Sequence, residues 1–267
     1  MRLLKSRNFL IISISAFCCL VYSETVATPG ELIAIKLNEN AQEYSSNNLI
    51  IEQGKNKYMI IPVAHDQKEI IIIDKYKIKV LEKDFGESRI TISNLSMVDL
   101  NNEDMERAYK ESQLIRAAIS TYSDNKKPSL NFLQPVDGVI SSRYGKKTFI
   151  NDSPRSPHLA LDIAAPEGTS IIAPADAKVV LTGNFFYGGN YIILDHGYGM
   201  LTSYSHLSKI VVAKGDMVKQ SDLIGEVGST GRVTGPHLHW TVYLNKVRIN
   251  PESLLKENYL SSLLEAI

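Results

Sequence analysis

Two histidines two residues apart, in Gly235-Pro236-His237-Leu238-His239-Trp240, constrain what the C-terminal half of this chain can fold into. Residues i and i+2 project together from a strand and apart from a helix. His237 and His239 can therefore serve one centre only in an extended segment. Pro236 before the pair, and Thr241, Val242 and Tyr243 after it, favour a strand. Upstream, His158 and Asp162 stand at i and i+4 between Pro157 and Pro166. Those prolines lie too close together for a helix of ordinary length, so this run is read as a second strand. Two strands, each presenting two such groups on one face, predict a centre with three ligands and a base.

The donor types narrow the metal. The only cysteines, Cys18 and Cys19, fall in an N-terminal stretch with a positive start (Arg2, Lys5, Arg7) and an apolar run over residues 9–21. Val21-Tyr22-Ser23 has the small-residue pattern of a cleavage site, so residues 1–23 read as a signal peptide, with a retained anchor as the alternative. The run is short of the roughly 20 residues that span a bilayer. Cleavage would leave a periplasmic or secreted protein with no cysteine and no membrane span, which excludes a disulfide framework and a thiol nucleophile. Imidazole and carboxylate without thiolate is the ligand pattern of catalytic zinc, with an open position for water. His206, and whichever of His237 and His239 is not a ligand, are candidates to move the proton or stabilise the oxyanion. A helical His-Glu-x-x-His pair is absent, and Gly228-Ser229-Thr230-Gly231 lacks the spacing of a serine nucleophile elbow and reads as a turn. Lys plus Arg equals Asp plus Glu at 29 each, so no basic face for nucleic acid is expected.

The organisation expected along the chain is mainly β. Residues 24–98 carry short alternating runs, such as Tyr76, Ile78 and Val80, and predict a small β-sandwich. His65 stands alone there and is read as a loop histidine. Asn101, with Glu103 and Asp104 behind it, starts a linker helix within 99–129. Met105, Ala108, Ser112, Ile115 and Ile119 would form its packed face. From 130 to 255, glycines separate strands expected at 136–141, 170–173, 178–182, 191–194, 201–204, 210–212, 223–227 and 237–244, an antiparallel sheet or sandwich. Residues 256–267 predict a short helix with Leu260, Leu263, Leu264 and Ile267 on one side.

Taken in order, several segments resemble the lysostaphin/LytM-type zinc metallopeptidases. They are Ile140-Ser141-Ser142-Arg143-Tyr144-Gly145, the run from Pro154 to His158 and on through Asp162 to Thr169, Leu194-Asp195-His196-Gly197, Tyr204-Ser205-His206-Leu207-Ser208, and the stretch from Gly228 to Trp240. The resemblance covers about residues 130–255; a weaker likeness extends to the β-rich region before this domain in some Gram-negative members. It implies a β-sheet peptidase domain of the duplicated-hybrid-motif type acting on peptide bonds of bacterial peptidoglycan. It implies one Zn2+ held by His158, Asp162 and His239, with His237 as base or transition-state stabiliser and His206 as its partner. Asp195 and His196 would be structural, Tyr204 would line the groove, and Arg143 and Asn151 are candidates for substrate contact. Envelope proteins are candidate regulators. Where the family has glycine two residues after its first histidine, this chain has Ala160. Because some relatives have lost their ligands, an inactive scaffold or activator of other wall hydrolases is the alternative; here every ligand position is filled. A third reading, a module that only binds glycan or envelope proteins, fits residues 24–98 alone.

Overall fold

The computed structural model describes residues 23–37, 48–73, 76–124 and 126–265. The signal-peptide reading, both cysteines and Ile267 lie outside these residues. Among the described residues no helix is long and apolar enough to cross a membrane.

In chain order the first seven strands are β1 (Ser23–Ala27), β2 (Leu32–Lys36), β3 (Leu49–Gln53), β4 (Asn56–Pro62), β5 (Ile71–Ile73), β6 (Tyr76–Val80) and β7 (Glu87–Ile90). Helix α1 (Asn102–Ile119) follows. Then come β8 (Val139–Ser142), β9 (Lys147–Ile150), β10 (Ser153–Arg155), β11 (Leu161–Ala164), β12 (Ser170–Ile172), β13 (Ala177–Phe185), β14 (Gly189–Gly197) and β15 (Met200–Ile210). The chain continues through β16 (Met217–Val218), β17 (Leu223–Val227), β18 (His237–Leu244), β19 (Val247–Ile249), α2 (Pro251–Leu254) and α3 (Tyr259–Glu265). The protein is mainly β, as the alternation and glycine spacing predict.

The N-terminal strands form two three-stranded sheets, β1-β6-β5 and β2-β4-β3. Side chains alternate across a strand, and both faces of the second sheet are used. Ile33, Ile35 and Met59 join Ile78 and Val80 in a core between the two sheets. Leu32, Ala34, Leu49, Tyr58 and Ile60, on the opposite face, join the core of the C-terminal sheet. This explains why β2 is buried at four successive positions where simple alternation would expose two. Further ties cross the same boundary. β7 pairs in parallel with β9, and the side chain of Asn151 bonds both N–H and C=O of Ile92 at 2.9 and 3.1 Å. Asn151 is thus a staple between segments, not a substrate contact.

The large sheet holds ten strands, ordered β16-β13-β14-β15-β18-β11-β8, with β12, β17 and β19 attached. Leu238, Trp240, Val242 and Leu244 of β18 point into its core and are fully buried. The opposite face carries Leu201 and Tyr243, which cluster with Phe185, Tyr191 and Ile193. Helix α1 covers that cluster with Ile115, Ala118 and Ile119. The helix begins where expected: the Asn101 side chain caps it by accepting from the Asp104 N–H at 2.8 Å. Met105 is half exposed and does not belong to the packed face, which is carried by the later turns. Strands 223–227 and 237–244 fall where they were expected. Residues 210–212 form no separate strand, because Ile210 is the end of a long β15. The first strand of this half begins at Val139 rather than 136.

Candidate metal centre

Each member of the centre is placed by sheet register. On β18, His237 and His239 share the face opposite Trp240, as their spacing requires. β11 pairs antiparallel with β18, and Asp162 lies directly across from His239. His158 corrects the expectation of a strand: it sits in the extended segment just before β11, four residues ahead of Asp162. Its ring is oriented by the Nδ1–H, which donates to the Arg143 carbonyl at 3.2 Å and leaves Nε2 facing inward. Ala160, where a glycine was expected from the resemblance, is fully buried in that turn.

Three donor atoms converge. His158 Nε2 lies 3.0 Å from Asp162 Oδ1 and 3.3 Å from His239 Nδ1, and His239 Nδ1 lies 2.8 Å from Asp162 Oδ1. Tetrahedral coordination with bonds of about 2.0–2.2 Å separates donors by about 3.3–3.5 Å, so this triangle is a slightly tight face of such a site. Among the described residues these three form the group that could hold a metal ion. Burial opposes ionisation of Asp162, but the charge of His239 and hydrogen bonds from both histidines outweigh it and hold the carboxyl far below the usual carboxylate range. Burial also disfavours a charged His158, yet its hydrogen bond and charge interaction with Asp162 raise its pKa overall. For His239 burial prevails and the pKa falls. The centre thus sets an ionised carboxylate beside two imidazoles, a donor set that fits a divalent cation.

Two further imidazoles flank the triangle. His237 donates from Nδ1 to the Gly235 carbonyl at 2.9 Å, and its Nε2 reaches to 3.9 Å from Asp162 Oδ1. His206 donates from Nδ1 to the Thr230 carbonyl at 2.9 Å, and its ring centre is 5.0 Å from that of His237. Both thus leave Nε2 as a free acceptor on the same side. His206 reaches this face through a bulge. The β14–β15 register slips between Ile192 opposite Tyr204 and Asn190 opposite Leu207, and His206 takes φ +70°. Tyr204 and Leu207 both point into the core, so strict alternation would have sent His206 there too. Burial, followed by the charges of His239 and His237, pushes its pKa down to about 3.

A groove of about 330 Å³ runs from His158, His206 and His239 past Ser205 and Tyr187 to Ile115 of α1. Tyr204 does not line it. That side chain is fully buried, and its hydroxyl bonds Thr202 Oγ1 at 2.9 Å. The same Thr202 hydroxyl bonds His196 Nε2 at 2.8 Å, while His196 Nδ1 donates to the Asp176 carbonyl and Asp195 accepts from Ser123 and Gly197. Asp195 and His196 are thus parts of the core network. His65 bonds the Gly145 carbonyl at 3.0 Å in a loop, away from the centre. Arg143 is paired with Glu252. Tyr187, which walls the groove, was missed by sequence reasoning, since nothing local marks a loop tyrosine for that position.

Antiparallel sheet, paired strands and a His–Asp–His triangle define a β-sheet domain with a candidate metal centre. The sequence model for peptidase family M23 matches residues 156–251 of this chain. The peptidoglycan DD-endopeptidase ShyA of Vibrio cholerae is 42% identical over 127 residues, 46% of this chain and 29% of that protein. The DD-carboxypeptidase/endopeptidase Mpg of Neisseria meningitidis is 42% identical over 97 residues, 36% of this chain and 22% of its own length. The chain thus spans less than a third of either relative. A crystal structure of a peptidase M23 from Pseudomonas aeruginosa superposes with a TM-score of 0.66 at 29% identity, covering 88% of this chain and 96% of that one.

Proposed function

We propose that this protein is a zinc-dependent endopeptidase that hydrolyses peptide bonds in the stem peptides or cross-links of bacterial peptidoglycan. The observation that carries the reading is the triangle of His158 Nε2, Asp162 Oδ1 and His239 Nδ1, no side longer than 3.3 Å. Zinc bound there would supply Lewis acidity and activate water near neutral pH. The chain's own residues do the rest. His237 Nε2 takes the proton of the attacking water and returns it to the leaving amine, and His206 shares that work and stabilises the oxyanion. The Arg143 carbonyl fixes the orientation of the His158 imidazole through its other ring nitrogen. The relatives named peptidoglycan DD-endopeptidase support the substrate class, and such a substrate supports a periplasmic or secreted location. Within this reading residues 130–255 are the peptidase domain, residues 99–129 a linking helix, and residues 24–98 a β-rich domain that braces it.

The test is direct. Purified protein should hold one zinc per chain and release new amino groups from isolated sacculi. His239→Ala should lose both the zinc and the release. His237→Ala should keep zinc and lose at least about 100-fold in rate, the low end for a general base. Full wall hydrolysis by His239→Ala would overturn the ligand assignment.

A further inference from the structure

The groove does not end at α1. Tyr243 and Arg248 line it and also line a second cavity, of about 610 Å³, bounded by Asp66 of the N-terminal part, Arg116 of α1 and Lys246. The combined floor is cationic: Arg116, Lys246 and Arg248 face it against the single acid Asp66. Three arginines elsewhere on the molecule are occupied by carboxylates, Arg107 by Glu111, Arg143 by Glu252 and Arg89 by Glu87. Arg248 has no carboxylate partner among the described residues. Its guanidinium stands 5.8 Å from the ring centre of Tyr243, its cross-strand neighbour.

The distance is set by the sheet. Tyr243 lies four residues along β18 from His239 on the same face, about 14 Å at strand rise. Arg248 sits opposite Tyr243, and its side chain lines the same groove as His239. A group gripped by that guanidinium is therefore about two to four extended residues from the metal centre. The planar fork of arginine matches a carboxylate in bidentate geometry, and the Tyr243 ring keeps the fork from being buried in a wrong orientation.

We propose that Arg248 is a specificity-determining residue that binds a free carboxylate of the peptide substrate, about two to four residues from the bond that is cut. The inference rests on the peptidase reading and adds the charge of its substrate to it. Tyr243, Tyr191 and Tyr144 nearby hold the arginine firmly charged, which suits this role.

The test uses the zinc-loaded full chain and a panel of cross-linked peptides whose free carboxylates are converted to primary amides one at a time. One amidation should lower wild-type kcat/KM by about ten-fold or more, mainly through KM. That ratio should fall to near one in Arg248→Ala and Arg248→Gln and be partly kept in Arg248→Lys, with zinc content and melting temperature unchanged. Indifference of the wild type to every amidation would overturn the proposal. So would a ratio preserved in Arg248→Ala, or equal loss on acid and amide peptides, which marks a role in the fold. Binding of the same peptides to the His237→Ala protein by calorimetry separates the two readings. If no peptide is cut, the peptidase reading falls, while preference for acid over amide that disappears with Arg248→Ala still upholds the carboxylate site, and absence of that preference sinks it.

Discussion

The six histidines carry one side chain into different environments, and environment rather than residue type assigns their work. His65 is a loop residue tied to a backbone carbonyl, and His196 is buried with both ring nitrogens satisfied inside the core. Burial pushes the His196 pKa down to about 4. Since an unfolded histidine titrates near 6.5, the unfolded chain binds the proton first as pH falls. Stability from this residue is complete above about pH 6.5 and is lost progressively down to about pH 4, by about 3 kcal/mol. Urea midpoints at pH 7 and 4.5 check this. His196→Gln should be less stable at pH 7 and should lose less than wild type on acidification. The buried His206 titrates over the same acid window, so the slope will shrink rather than vanish. An unchanged slope would contradict the desolvation argument.

At the scale of elements, the bulge in β15 and the loop 228–231 form one device. Gly231 has φ +76°, and a side chain there would come within 2.4 Å of the Gly189 backbone nitrogen. That close approach lets Thr230 bridge two strands, donating to the Leu207 carbonyl at 2.8 Å and accepting from the Asn190 N–H at 2.9 Å. The backbone carbonyl of Thr230 meanwhile orients His206. Thr230→Val should cost about 1–3 kcal/mol in urea unfolding, because it takes the hydroxyl partner from the Asn190 N–H, while the Leu207 carbonyl keeps the Asn190 side-chain amide. It should lower kcat at unchanged zinc stoichiometry, since the ligands lie on β11, β18 and the segment before β11. Concurrent loss of zinc would show that the loop supports the metal centre and not His206 alone.

Over the whole molecule, β2-β4-β3 is a shared middle layer. Ile60 is fully buried on the face that joins the core of the C-terminal sheet, and that core contains Trp240, the one tryptophan of the chain. Fluorescence therefore reports the C-terminal half only. Ile60→Ala should cost about 2–5 kcal/mol, and the tryptophan transition should move with it as a single cooperative step. A Trp240 midpoint unmoved by this change, with a separate early transition in circular dichroism, would mean that the N-terminal sheets unfold on their own. The physical reason to expect coupling is the continuous apolar contact across β2 and β4, reinforced by the β7–β9 pairing and the Asn151 staple.

Local chemistry made much of this legible. The His-x-His spacing, the proline before it and the β-branched residues after it specify a strand with both imidazoles on one face, because side-chain alternation is a property of the backbone. The Asn101 cap and the alternation of Tyr76, Ile78 and Val80 are local in the same sense. Three things depended on partners far along the chain. Register set Asp162 against His239; a bulge turned His206 toward the centre and left Tyr204 in the core; and a second packed face buried four successive residues of β2. No periodicity within a segment encodes those, since each arises when a strand meets its neighbour and one register, one bulge or one covering layer satisfies the backbone hydrogen bonds and the core at once.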